Sequence, residues 1–208
     1  MLVVFDLDGT LIDSRDALLA AHQVAWTEHA LPVPEAKDIL ELVGLPLVDS
    51  MKHLNPTADA ESLARAYSAA YKTTSEAHEC LFPGVKELLR LPFRAAVATG
   101  KSQAGAERAV GRHDLEGRFE CVLGGSSVPR PKPYPDMLNC IRDKTGETDL
   151  VMIGDTTYDL EMAVRAGAHA IGVSWGHHSA ARLSGFGPVA DSIHQLRDML
   201  FEKGAIGQ

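Results

Sequence analysis

The chain has 208 residues and a formal net charge of −8, with 45% apolar and 23% charged residues. Such a length suits one large domain, or a core domain with a small insertion, and the apolar share is enough for a sizeable core. The acidic balance argues against nucleic acid as partner, because phosphate backbones are gripped by clustered Lys and Arg, and no apolar run approaches a membrane span. A small anionic substrate stays compatible, since a metal ion or a few local cations reverse the field within a pocket. No basic leader precedes the first apolar run, so no signal peptide is expected. The scattered Cys80, Cys121 and Cys140 form no CxxC pair and read as reduced, mostly buried thiols of a cytoplasmic protein.

The apolar run Leu2–Phe5 predicts a buried strand of a parallel sheet, closed by Asp6, Asp8, Gly9 and Thr10. A helical pattern from about 15 to 29 places Leu18, Ala21 and Ala25 on one face with Val24 beside them, and Asp13 or Ser14 serves as N-cap. Pro32 and Pro34 break it. A second helix is expected over about 34–43, then the turn Gly44-Leu45-Pro46, shorter helical pieces, and a longer helix over about 59–77 burying Leu63, Ala66, Tyr67, Ala70 and Tyr71. Nothing between Ser14 and Glu79 reads as a strand, so residues 15–79 form a helical insertion in a core made of 1–14 and 80–208. The core then reads as a helix over 85–91, a strand over 93–98, a helix over 102–113 and a strand near 119–123. After the prolines around Lys132 come a helix to about 144, a strand over 150–153, a helix to 166, a strand over 168–173 and a closing helix over about 192–201. Strands alternating with helices predict a doubly wound α/β core.

Four stretches carry chemistry. Asp6 and Asp8 end the first strand, where open α/β sheets bind ligands, and two close carboxylates call for a cation; oxygen-only donors suit magnesium. The alternative is a polar turn with an Asp capping the next helix. Thr99-Gly100 ends another strand, where a hydroxyl and helix-start N–H groups hold a phosphate oxygen, although Thr-Gly alone is more often a plain turn. The adjoining GKS lacks the Gly of a nucleotide phosphate loop at position 95, which is Ala95. Lys132, stiffened between two prolines, reads either as a charge-neutralising group or as a solvated loop lysine. Asp155 and Asp159, four apart at a strand-to-helix junction, converge on one point or merely cap the helix. His177-His178 lacks metal-site spacing and is assigned to a surface loop. Arg15 and His22 are insertion residues near the entrance.

FDLDGTLIDS resembles the first motif of the haloacid-dehalogenase-like hydrolase superfamily, in its phosphatase branch. Thr99 stands where that family has its second motif, RPKPYPD resembles the third and GDTTYD the fourth, in the family's order. The resemblance implies a Rossmann-like core with a small all-helical cap after the first strand. It makes Asp6 the nucleophile and Asp8 the general acid and base. Lys132 becomes the group that steadies the nucleophile, and Gly9, Thr10, Thr99, Gly100 and Lys132 the cradle for the substrate phosphate. Asp6, the backbone carbonyl of Asp8, and Asp155 become the Mg²⁺ ligands, with Asp159 supporting through water or by orienting Lys132. DGTLIDS together with KPYPDML resembles phosphoglycolate phosphatases, which narrows the partner to a small phosphorylated metabolite with 2-phosphoglycolate first. A sugar phosphomutase of the same fold and a catalytically silent phosphate-binding or regulatory module remain alternatives. A dehalogenase would have no use for Asp8 and the magnesium acids, and a DxD glycosyltransferase leaves Lys132 and Thr99 unexplained. The oligomeric state is left open.

Overall fold

A computed structural model describes residues 1–206. Six parallel strands form the main sheet in the order β5-β4-β1-β6-β7-β8. They are β1 (Leu2–Phe5), β4 (Ala95–Thr99), β5 (Cys121–Gly124), β6 (Leu150–Gly154), β7 (His169–Val173) and β8 (Val189–Ala190). Central β1 pairs with β4 through Val3↔Ala95 and with β6 through Val3↔Val151. All four residues of β1 are buried, because a strand covered on both faces alternates between two cores rather than between core and water. Val3 and Phe5 join one apolar cluster with Val85, Ala106 and Leu196; Leu2 and Val4 join the other with Met137, Leu160 and Leu183. The first face is covered by α5 (Val85–Leu89), α6 (Gln103–Arg112) and α10 (Ile193–Glu202). The second is covered by α7 (Asp136–Thr145), α8 (Thr157–Arg165) and α9 (Ala180–Leu183).

Between β1 and α5 the chain builds a helical unit from α1 (Arg15–Glu28), α2 (Ala36–Glu41), α3 (Leu47–Leu54) and α4 (Ala60–His78). Its own apolar cluster joins Leu18, Ala21, Ala25 and Trp26 of α1 to Met51, Leu63, Ala64 and Tyr67. The chain enters and leaves this unit through a two-residue antiparallel pair, β2 (Ile12–Asp13) with β3 (Cys80–Leu81), in the register Ile12↔Leu81. Among the described residues, no helix is long and apolar enough to cross a membrane.

Several elements differ from expectation. Strands β2, β3 and β8 have two residues each, too few for a period to register. The second helix is only Ala36–Glu41, since the prolines before it and Gly44 after it leave little room. Val24 is exposed, one position off the buried face of α1, and Ala66, Ala70 and Tyr71 are only partly buried. Of the cysteines only Cys121 is buried; Cys80 is exposed and Cys140 intermediate, and all three are free thiols.

Candidate active site

Strand order reverses around β1, so the carboxyl ends of β1, β4 and β6 open onto one crevice, and Asp6, Thr99 and Asp155 follow or close these strands. All three are buried, as are Asp8, Thr10, Lys132 and Asp159. Lys132 reaches in from the loop before α7, its Nζ 2.9 Å from Asp6 Oδ1 and 2.5 Å from Asp159 Oδ1. Asp159, in the first turn of α8, turns its other oxygen back onto Thr156, accepting from the backbone N–H at 3.0 Å and the hydroxyl at 2.7 Å. A local helix-capping arrangement thus fixes the carboxylate that fixes the lysine. Burial works against the Lys132 ammonium, but Asp159 and Asp6 outweigh it and push its pKa above the usual lysine range. Burial, partly offset by Lys132 and reinforced by Asp159, Asp155 and Asp8, pushes the Asp6 carboxyl up to about 7.

Asp155 accepts at Oδ1 from the Thr10 hydroxyl (2.9 Å) and at Oδ2 from the His177 backbone N–H (2.8 Å) and Nδ1 (2.7 Å). Burial works against its charged form, yet His177 and Thr10 hold it below the usual carboxylate range. The chain must pass very close here. A Cβ on Gly9 would stand 2.2 Å from Asp155 Oδ2, and Gly9 has φ +75, a value that favours glycine.

The site departs from the sequence reading in three places. The backbone N–H groups of Gly9 and Thr10, assigned to the phosphate cradle, are spent inside their own turn on Ile12 O (2.8 Å) and Leu7 O (3.2 Å). The Thr10 hydroxyl serves Asp155 instead. Nor is His177-His178 a surface loop. His177 packs on Asp155, while buried His178 accepts from Thr157 N–H at Nδ1 (3.0 Å) and meets Glu41 O at Nε2 (3.1 Å), tying the start of α8 to α2. Adjacent His residues diverge as expected, but each finds a hydrogen-bond partner within the protein. Arg15 is exposed and lies outside the crevice, whereas buried His22 lines it.

Above the crevice lies a cavity of about 720 Å³ between sheet and helical unit. Asp6, Asp8, Thr99 and Gly100 face it from the core; His22, Arg65, Tyr67 and Tyr71 line it from α1 and α4. Sequence reasoning missed Lys101. Its Nζ lies 3.0 Å from Asp8 Oδ1 and donates to Tyr71 OH at 2.9 Å, and only its place two residues after Thr99 could have pointed to it.

Carboxylate oxygens of Asp6, Asp155 and Asp159 lie within 4.8 Å of one another, a group that could hold a metal ion. The donor set fits a hard cation: it is all oxygen, buried, and incompletely neutralised at Asp6. Asp159 has both oxygens engaged, one by Lys132 and one by Thr156, and Asp155 likewise, by Thr10 and His177.

Fold and site together define an α/β enzyme with a lysine-anchored aspartate centre beneath a helical unit. Residues 3–173 match the family model described as haloacid dehalogenase-like hydrolase. The "Probable phosphatase IndB" of Dickeya dadantii is 36% identical, covering 94% of this chain and 91% of the relative. The phosphoglycolate phosphatase of Vibrio vulnificus is 32% identical over 96% and 95% of the two chains. A crystal structure of a hydrolase from Pseudomonas syringae superposes with a TM-score of 0.85 at 26% identity, over 97% and 98%. The chain belongs to the haloacid dehalogenase-like hydrolase family.

Proposed function

We propose that this hydrolase is a magnesium-dependent phosphatase acting on a small phosphomonoester through an aspartyl-phosphate on Asp6. The observation that carries the reading is that Asp6 and Asp8 open onto one cavity while buried Lys132 holds Asp6 at 2.9 Å. Asp6 attacks phosphorus in line; its carboxylate oxygen forms the new P–O bond as the ester P–O bond breaks. Asp8 gives its proton to the departing alkoxide, then takes one from the water that attacks the aspartyl-phosphate, releasing inorganic phosphate and restoring Asp6. Lys132 keeps the nucleophile oriented and balances charge on the phosphoryl oxygens, with the Thr99 hydroxyl beside them. Asp6, Asp155 and the Asp8 carbonyl would hold Mg²⁺, which supplies screening of the nucleophile from phosphate repulsion and stabilisation of equatorial oxygen charge.

The helical unit, residues 15–79, is assigned the part of a cap that opens for substrate and closes to exclude water. We place 2-phosphoglycolate first among substrates. The name of the Vibrio relative supports this, as do Arg65 and Arg108, which line the cavity and enter no ion pair among the described residues. The reading places the enzyme in the cytoplasm, with its cysteines reduced.

The test is phosphate release from an aryl phosphate with and without magnesium, for wild type and Asp6→Asn, followed by a phosphomonoester panel including 2-phosphoglycolate. Release that needs the metal and vanishes in the variant is expected. Inert wild type across the panel would sink hydrolysis, and isomerised sugar phosphate without free phosphate would replace it with a mutase.

A further inference from the structure

The residue on which the chain returns from the helical unit to the core, Glu79, has a fully buried side chain. A buried carboxylate must be paired, and three segments supply partners. Arg112 of α6 donates to Oε2 at 2.7 Å, with His113 Nε2 3.9 Å from the same oxygen. Tyr71 of α4 donates its hydroxyl to Oε1, and Lys101 Nζ lies 3.6 Å from Oε1. Arg112 already neutralises Glu79, so Lys101 is not needed for that purpose. Its ammonium instead spans the gap to Asp8 at 3.0 Å, packed over the Tyr71 ring at 4.2 Å and only 11% exposed. Its backbone is pinned as well: the N–H meets Thr99 Oγ1 at 3.3 Å, and the carbonyl accepts from Gly125 N–H at 2.8 Å.

We infer that Lys101 is a positioning residue for Asp8, held over it by Tyr71 and Glu79, so that the proton-transfer carboxylate is set only while the return segment of the helical unit is seated. The inference rests on the reading of Asp8 as proton donor and acceptor. An Asp carboxylate at a cavity edge has freedom about both side-chain torsions, and an ion pair anchored at its far end by two groups removes it. The contact runs from the last turns of α4 through one lysine to Asp8, so displacing Tyr71 or Glu79 releases both ends together.

The experiment compares Lys101→Met, Glu79→Gln and wild type on an alkyl phosphate and on p-nitrophenyl phosphate, whose leaving group departs without a proton. For Lys101→Met, kcat on the alkyl ester falls on the order of 10- to 100-fold with KM little changed, while the aryl ester loses less than about threefold. Glu79→Gln moves both substrates in the same sense by less, and the double variant is no worse than Lys101→Met alone. Equal losses on both esters, a change confined to KM, or no change overturns the inference. Amide exchange gives a readout independent of turnover: in Lys101→Met, residues 78–82 exchange faster while the β1 amides do not. Unchanged exchange there overturns the link to the return segment. Wild type inert on every ester defeats the phosphatase reading, and the exchange result still decides whether Lys101 holds Glu79 and Tyr71.

Discussion

Asp159 stands 2.5 Å from Lys132 and caps its own helix with the oxygen it does not give to the lysine. Lys132 therefore has two anionic partners of unequal freedom: Asp6, which faces the cavity, and Asp159, locked by Thr156. The asymmetry predicts an order of stability losses. Lys132→Met leaves two buried carboxylates without their cation and is expected to cost about 3–5 kcal/mol, as when a buried pair loses one member. Asp159→Asn leaves Lys132 paired with Asp6 and should cost less, about 1–3 kcal/mol, the scale of one lost buried hydrogen-bond partner. Urea unfolding of both variants at neutral pH checks the order, and equal losses would contradict it.

Metal binding is expected to stabilise the fold, more so at higher pH. The Asp6 carboxyl, raised from 3.8 to about 7, must be ionised to ligate, so in the metal-free protein its ionisation costs stability as pH rises through that window. A cation offsets that cost. At free magnesium 100 times its dissociation constant the gain is about 2.7 kcal/mol. Thermal unfolding with and without magnesium should show a larger gain at pH 8 than at pH 6, and none in Asp155→Asn. A gain that is equal at both pH values removes Asp6 from the ligand set.

Much of this architecture is legible in the sequence because its central strands are continuous apolar runs followed at once by chemistry. LVVF runs straight into Asp6, AAVAT ends on Thr99, and LVMIG runs into Asp155. What was not legible depends on segments meeting. Glu79 and Lys101 matter because α4, the loop after β4 and α6 converge, and neither residue sits in a periodic pattern that reports this. The burial of His177 has the same origin. A Cβ on Gly176 would lie 2.3 Å from Asp155 Cβ, so the absence of a side chain there lets the loop fold over the aspartate. The N–H groups of Gly9 and Thr10 were misassigned because a turn tight enough to aim Asp8 also closes on itself.

His22 makes the helical unit sensitive to acid. Burial lowers its pKa from 6.5 to about 4, and its Nδ1 accepts from Trp26 Nε1 at 3.3 Å, which requires the neutral ring. The unfolded chain binds the proton first, so the contribution is complete above pH 6.5 and is lost as pH falls towards 4. The loss is at most about 3.4 kcal/mol. Unfolding free energies of wild type and His22→Gln across that range should converge as pH falls, the variant having the shallower slope. Parallel curves would show that His22 titrates normally.

Seating of the helical unit is expected to depend on Gly100. A Cβ placed there would stand 2.7 Å from Gly44 O and 3.0 Å from its carbonyl carbon, both backbone atoms that no rotamer change can move. Gly100→Ala should push the turn between α2 and α3 away from the crevice and lower kcat/KM on the order of 10- to 100-fold, the scale of an ångström-level misplacement. The core clusters do not include this contact, so the unfolding midpoint should shift little. Faster amide exchange over residues 42–48 separates a displaced helical unit from a merely obstructed phosphate site. Gly185→Ala, whose added Cβ would meet only Arg182 O at 3.8 Å, serves as the neutral control. Wild-type kcat/KM in Gly100→Ala would mean that the turn at Gly44 yields without cost and that closure does not run through this contact.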